Sequence, residues 1–195
     1  MKSLATLLAA AAILASPIAM QNAHAQLQVT LGAGANTPLG EYGDLTKTGY
    51  AIITGVGYRV MPMLVLGGEF SFYGNNASDL ATEGLGDGWE MKSTLQQYAG
   101  MVKGLLPVGN HNLYAKGLVG SYHGTAKVIS PDDEAKLSMS ELGYGIGGGV
   151  QINGRGSSAL FLDVTYHHIA FNDSDTDTNF MTYSAGMVVS FDLFR

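Results

Sequence analysis

Residues 142–152 read LGYGIGGGVQI. Leu142, Tyr144, Ile146, Val150 and Ile152 alternate with Gly143, Gly145, Gly147, Gly149 and Gln151. A period of two is the signature of a β-strand, whose successive side chains point to opposite faces. One face of this strand is greasy and the other is almost bare. Asn153-Gly154-Arg155-Gly156 follows, a strong turn signal.

The same alternation recurs on both sides of this segment. Downstream, about Ala159–Ala170 sets Leu160, Leu162, Val164 and Tyr166 against Asp163, Thr165 and His167. About Thr182–Leu193 sets Tyr183, Ala185, Met187, Val189, Phe191 and Leu193 against Ser184, Gly186, Ser190 and Asp192. Upstream, five further strands are expected at about Leu27–Ala35, Tyr50–Val60, Leu64–Tyr73, Leu95–Leu106 and Asn112–Tyr122. Met61-Pro62-Met63 and Pro107 to His111 are short turns, as is the Asn-Gly segment after Ile152. The stretches 36–49, 74–93, 123–141 and 171–181 read as long loops without helical periodicity.

The first residues address the chain for export. Lys2 precedes an apolar run from Leu4 to Ala15, Pro17 breaks it, and Ala23-His24-Ala25 gives the small-x-small pattern of a cleavage site. Residues 1–25 are therefore expected to be a cleaved signal peptide, with 26–195 as one mature domain. The apolar run is shorter than the ~20 residues that a spanning helix needs. The chain has 27 Gly, no Cys and 13% charged residues, with a formal charge of −6. Zero Cys removes thiol catalysis, disulfide frameworks and Cys-ligated metals. The acidic balance argues against a nucleic-acid partner.

No apolar run after residue 25 is long enough to span a bilayer as a helix, so membrane entry requires a closed barrel with no unpaired edge. A soluble lipocalin-like barrel would bury the apolar face around a ligand. Three features favour apolar-out. The other face carries Gly, Ser, Thr, Ala and Gln rather than the dense Lys and Glu of a solvated exterior, and small residues suit a narrow lumen. Tyr50, Tyr58, Phe72, Tyr98, Tyr144, Tyr166, Tyr183 and Phe191 lie toward strand ends on the apolar face, as a bilayer interface favours. Tyr50 and Tyr58 are also separated by roughly 26 Å of strand, close to the outer-membrane apolar band. The expected fold is all-β: an eight-stranded antiparallel up-and-down transmembrane β-barrel.

The segments GAGANTPLGEYGDLTKTGY (32–50), GVGYRVMPMLVLGGEFSFYG (55–74) and YSAGMVVSFDLF (183–194) resemble the small outer-membrane β-barrel proteins. That group is related to the OmpA transmembrane domain and to the neisserial surface and opacity barrels. The resemblance implies a bacterial outer-membrane location, short periplasmic turns and a polar lumen closed by ion pairs. Members end their last strand in an aromatic residue, whereas here Phe194 is followed by Arg195.

With the apolar face outward, Glu69, Lys103, Lys116 and Asp163 share a similar height near the short turns and are expected to pair, two positive with two negative. Arg59, Asp192 and His167 are candidates to extend this structural network. Most acids fall in the expected loops, among them Glu41, Asp44, Asp79, Glu83, Asp87, Glu90, Asp132, Asp133, Glu134, Asp173, Asp175 and Asp177. Those loops could meet divalent cations shared with lipopolysaccharide, or an extracellular or host partner. Trp89, set among acids and glycines, is a candidate anchor.

Other motifs fail on context. Gly143-x-Gly145-x-x-Gly148 matches a dinucleotide-binding pattern but lies within a strand, so it reads as a lumen-facing glycine stripe. Asp173-x-Asp175-x-Asp177 lacks both the turn glycine and the closing acid of a calcium loop. His167 and His168 face opposite ways. His123, His168, Ser121 and Ser184 form no evident triad. No catalytic, cofactor or metal site is expected. The reading is a monomeric surface scaffold or adhesion protein in contact with outer-membrane lipid. Transport of small hydrophobic molecules and lipid A modification are the alternatives.

Overall fold

The computed structural model describes residues 26–76, 90–129, 134–154, 157–170 and 177–192. The signal segment, Trp89 and the acids at 79, 83, 87, 132, 133, 173 and 175 lie outside the described residues.

Eight strands close into one barrel: β1 (Gln26–Leu39), β2 (Gly49–Met61), β3 (Leu64–Asn76), β4 (Glu90–Val108), β5 (His111–Ile129), β6 (Glu134–Asn153), β7 (Ser158–Ile169) and β8 (Thr178–Asp192). Every neighbouring pair is antiparallel, and β8 returns to pair with β1 along Gln26–Leu39. Closure leaves no edge, the only way a sheet satisfies its backbone in hydrocarbon. One register shift, between Arg59 and Met61, precedes the Pro62-Met63 turn from β2 into β3. The β4–β5 turn depends on Gly109, which adopts φ +59°, a conformation that costs L side chains about 1–2 kcal/mol.

The outward face is apolar. Leu31, Val119, Leu142, Ile146 and Leu160 are exposed, with Val119 at 70% and Leu142 at 73%. Inward stand Gln28, Glu69, Ser71, Gln97, Lys103, Lys116, Gln151, Asp163, Thr165 and His167, all buried. This inversion of the usual soluble arrangement fits a lipid exterior.

Several strands run further than their apolar alternation suggests. The segment 123–141, expected to be a loop, instead continues the β5–β6 hairpin to Ile129 and restarts it at Glu134. Strands likewise occupy 36–39, 74–76, 90–93 and 178–181. The segment 36–49 also contains a short helix, α1 (Glu41–Leu45), where the sequence shows no helical period. The physical reason for the extensions is a reversal of phase. In 134–141 the apolar Leu137 and Met139 share the parity of the lumen residues, whereas Ser138 and Ser140 share that of Leu142 and Tyr144. Above the bilayer the outer face meets water, so the same alternation carries its polar residues outside.

Candidate functional site

The lumen is the most chemically loaded region, and β6 makes room for it. Gly143, Gly145, Gly147 and Gly149 face inward beside large side chains of β5 and β7, whereas Gly148 faces outward with Ile146 and Val150. The proposed lumen-facing motif is corrected to that extent: the strict alternation of β6 assigns Gly148 to the lipid side. A Cβ at Gly149 would lie 2.8 Å from the Tyr114 hydroxyl and would collide with the Leu162 carbonyl. The bare strand face is therefore what lets Tyr114 lie over β6 and reach Asp163 on β7.

Toward the short-turn end, Lys116 Nζ sits 3.1 Å from Glu69 Oε2 and 3.1 Å from Asp163 Oδ1. Tyr114 donates to Asp163 Oδ2 at 2.8 Å and Thr165 donates to Asp163 Oδ1 at 2.6 Å. Ser71 lies 3.5 Å from Glu69 Oε1. These partners offset the desolvation of two buried carboxylates. Lys103, in direct register with Lys116, completes no second ion pair among the described residues; its ammonium lies 4.4 Å from the centre of the Tyr114 ring. Lys116 already occupies the position between both carboxylates, and the ring face offers Lys103 a cation–π partner instead.

The expected extensions of this network separate in the structure. Arg59 is half-buried and its Nε has no hydrogen-bond partner among the described residues. Asp192 lies at the exposed rim, accepting from Gln26 Nε2 at 2.9 Å. His167 belongs to a second layer nearer the long-loop end. Its Nδ1 is 3.0 Å from the Tyr122 hydroxyl and its Nε2 is 3.5 Å from that of Tyr73. Gln97 joins both tyrosines, accepting from Tyr73 at 2.8 Å and donating to Tyr122 at 2.9 Å. Phe180 stacks on the imidazole, with ring centroids 4.5 Å apart.

Apolar side chains fill the lumen around these polar layers. Val65, Leu105, Phe161 and Val188 pack toward the short-turn end. Ala51, Tyr73, Leu95, Tyr122, Ile169 and Phe180 close the other end, with Tyr42 of α1 packed against them. Burial raises the Tyr42 hydroxyl above its ordinary pKa, partly offset by hydrogen bonds with Ser93 and Thr46. Sequence reasoning passed over Val65, Leu105 and Phe161; their one signal is an apolar side chain on the polar parity. Between these plugs, Glu69, Lys103, Tyr114, Lys116 and Asp163 border a cavity of about 20 Å³, room for a single water.

On the outer face, Tyr58 and Phe191 flank Leu27, and eight residues along β1 Tyr50 and Tyr183 flank Ala35. Tyr98 and Tyr144 are exposed, while Phe72 and Tyr166 are half-buried. His168 lies on this face against Tyr144, 2.8 Å from Asn179 Oδ1 and 3.8 Å from Asp177 Oδ2. Ser121 and His123, two residues apart on β5, bring Oγ and Nε2 to 3.3 Å, and Ser140 lies 3.5 Å from Ser121. Among the described residues no carboxylate contacts His123. Ser184 instead faces the lumen, remote in register from either outward histidine.

Among curated proteins none matches the chain by sequence. Solved structures do match. Neisserial surface protein A (NspA) aligns with a TM-score of 0.62 over 87% of this chain and 98% of its own, at 16% identity. Ail, the attachment invasion locus protein of Yersinia pestis, crystallised with the heparin analogue sucrose octasulfate, gives 0.56 over 86% and 99%, at 16% identity. A major outer membrane protein of Thermus thermophilus gives 0.55 over 85% and 99%, at 14% identity. At such identities these likenesses speak for the fold. The family model described as "Outer membrane protein beta-barrel domain" matches residues 5–191. The chain belongs to that outer-membrane β-barrel family, and the bacterial outer membrane is its location.

Proposed function

We propose that the protein is a closed, monomeric scaffold of the outer membrane that presents its loop-bearing end as an interaction surface at the cell exterior. In this reading residues 1–25 are removed on export. The two rows of outward aromatics hold the barrel at the bilayer interfaces, and the Lys116 ion pairs fix the strands around a solid interior. No cofactor takes part.

The observation that carries the reading is the filled lumen. Among the described residues, two polar layers and two apolar plugs surround a cavity the size of one water, which supports a lumen without a continuous path for a hydrated solute. The exposed Glu41, Asp44 and Asp177 at the opposite end from the short turns support contact with solvent and external partners. Ser121 and His123 lack an orienting carboxylate among the described residues. The surrounding peptide groups lie in continuous strand ladders, which leaves them poorly placed as an oxyanion hole. That geometry favours a non-enzymatic role.

Single-channel recording in planar bilayers tests the closed scaffold. The expected trace is silent; steady openings of a fixed conductance would overturn the reading. Lipid A from cells with and without the protein should have the same mass spectrum, and a lost or added acyl chain would replace scaffold with enzyme.

A further inference from the structure

Strand alternation places His168 on the outer wall of β7, on the parity of Val164 and Tyr166, and the β7–β8 register sets Asn179 directly opposite it. The Asn179 carbonyl oxygen can only accept hydrogen bonds. It takes one from the Tyr166 hydroxyl at 2.7 Å and lies 2.8 Å from His168 Nδ1. The proton of the neutral imidazole is therefore held on Nδ1, and the lone pair stays on Nε2. From the β6 side the Tyr144 ring packs against the imidazole, with centroids 5.0 Å apart. Ring orientation and tautomer are thus both set by neighbours, and Nε2 is the coordinating atom left over.

That nitrogen lies 3.8 Å from the Oδ2 of Asp177, the residue just ahead of β8. Two electron-pair donors across one gap repel unless a cation stands between them, and the width of the gap selects the cation. At 3.8 Å it is too wide for a single hydrogen bond, so a shared proton fits poorly. A tetrahedral ion about 2.0–2.1 Å from an imidazole nitrogen and about 2.0–2.2 Å from a carboxylate oxygen sets the two donors roughly 3.4 Å apart. Asp177 is exposed, so a small side-chain rotation closes the difference. The nitrogen donor favours zinc, copper or nickel over calcium and magnesium, which prefer oxygen. A carbonyl on the far nitrogen of the ring, as Asn179 supplies here, is the partner that orients a metal-bound histidine.

We propose that His168 and Asp177 bind one divalent transition-metal ion of the zinc class on the outer wall, with Asn179 as the positioning residue. Two protein donors leave coordination positions open to water or to an oxygen of a molecule outside the barrel. The ion clamps the end of β7 to the start of β8. The site lies outside the lumen, so it goes beyond the scaffold reading and does not depend on a closed interior.

The test titrates the folded, untagged barrel in detergent micelles with Zn²⁺ by calorimetry, alongside His168→Gln, Asp177→Asn, Asn179→Ala and His123→Gln. Heat-modifiable migration on gels confirms that each protein is folded. Asp177→Asn, an isosteric change at an exposed position, keeps the test decisive if His168→Gln fails to fold. The wild type should take up one ion per barrel, and Zn²⁺ should shift the nitrogen NMR resonance of His168 Nε2 more than that of Nδ1. His168→Gln should bind at least about tenfold more weakly and Asn179→Ala about tenfold more weakly, as loss of an orienting partner does. Asp177→Asn should lose several-fold in affinity, and His123→Gln should match the wild type. Absence of saturable binding, affinity unchanged by His168→Gln or Asp177→Asn, or Ca²⁺ bound as tightly as Zn²⁺ overturns the proposal. So does a loss in His123→Gln equal to that in His168→Gln. Steady single-channel openings would sink the closed scaffold and leave this site standing.

Discussion

Lys116 stands between two buried carboxylates, and its removal leaves Glu69 and Asp163 without their shared cation in a confined lumen. Breaking a buried pair in this way costs about 3–5 kcal/mol because the remaining charge is stranded. Lys116→Met should therefore lower the urea midpoint of the reconstituted barrel far more than Lys103→Met, which removes a cation–π contact. Equal losses would show that the two lysines share the carboxylates. This asymmetry was only half legible in the sequence. Strand parity and distance from the short turns placed four charges at one height, but nothing in residue order says which lysine wins the bridging position. The choice depends on the Tyr114 ring, whose reach in turn depends on the absence of a side chain at Gly149. Gly149→Val should cost about 1–3 kcal/mol in the same unfolding measurement, through overpacking against Tyr114 and Leu162.

Among the elements, the β4–β5 turn isolates a purely conformational effect. Gly109 has φ +59° and open space where a Cβ would stand. Gly109→Ala should destabilise the barrel by about 1 kcal/mol, with Gly109→Asn closer to wild type because Asn tolerates that conformation. If both variants match wild type, the turn does not need a left-handed residue. The strands themselves were legible wherever both faces have fixed surroundings, as in 142–152, where lipid selects large apolar groups and the lumen selects glycine. Legibility failed in 123–129 and 134–141, because there lipid no longer lies outside and the pattern inverts. Thr125 and Lys127 then look like loop residues, although they hold the same outward parity as Leu113 and Val119. The short helix α1 escaped because five residues are too few to show a helical period.

For the molecule as a whole, the burial pattern reverses that of a soluble protein: charges and glutamines are inside, and Leu, Val and Tyr are outside. The arrangement is stable only if hydrocarbon surrounds the band between the Tyr58/Phe191 and Tyr50/Tyr183 rows. The most direct measurement introduces a tryptophan at Val119 in a Trp89→Phe background and reconstitutes the barrel in vesicles of bromine-labelled phosphatidylcholine. Strong quenching at Val119, in a barrel shown to be folded by gel migration, is the result this account predicts. An unquenched Val119 tryptophan, or a processed chain that stays soluble with no detergent present, would contradict it.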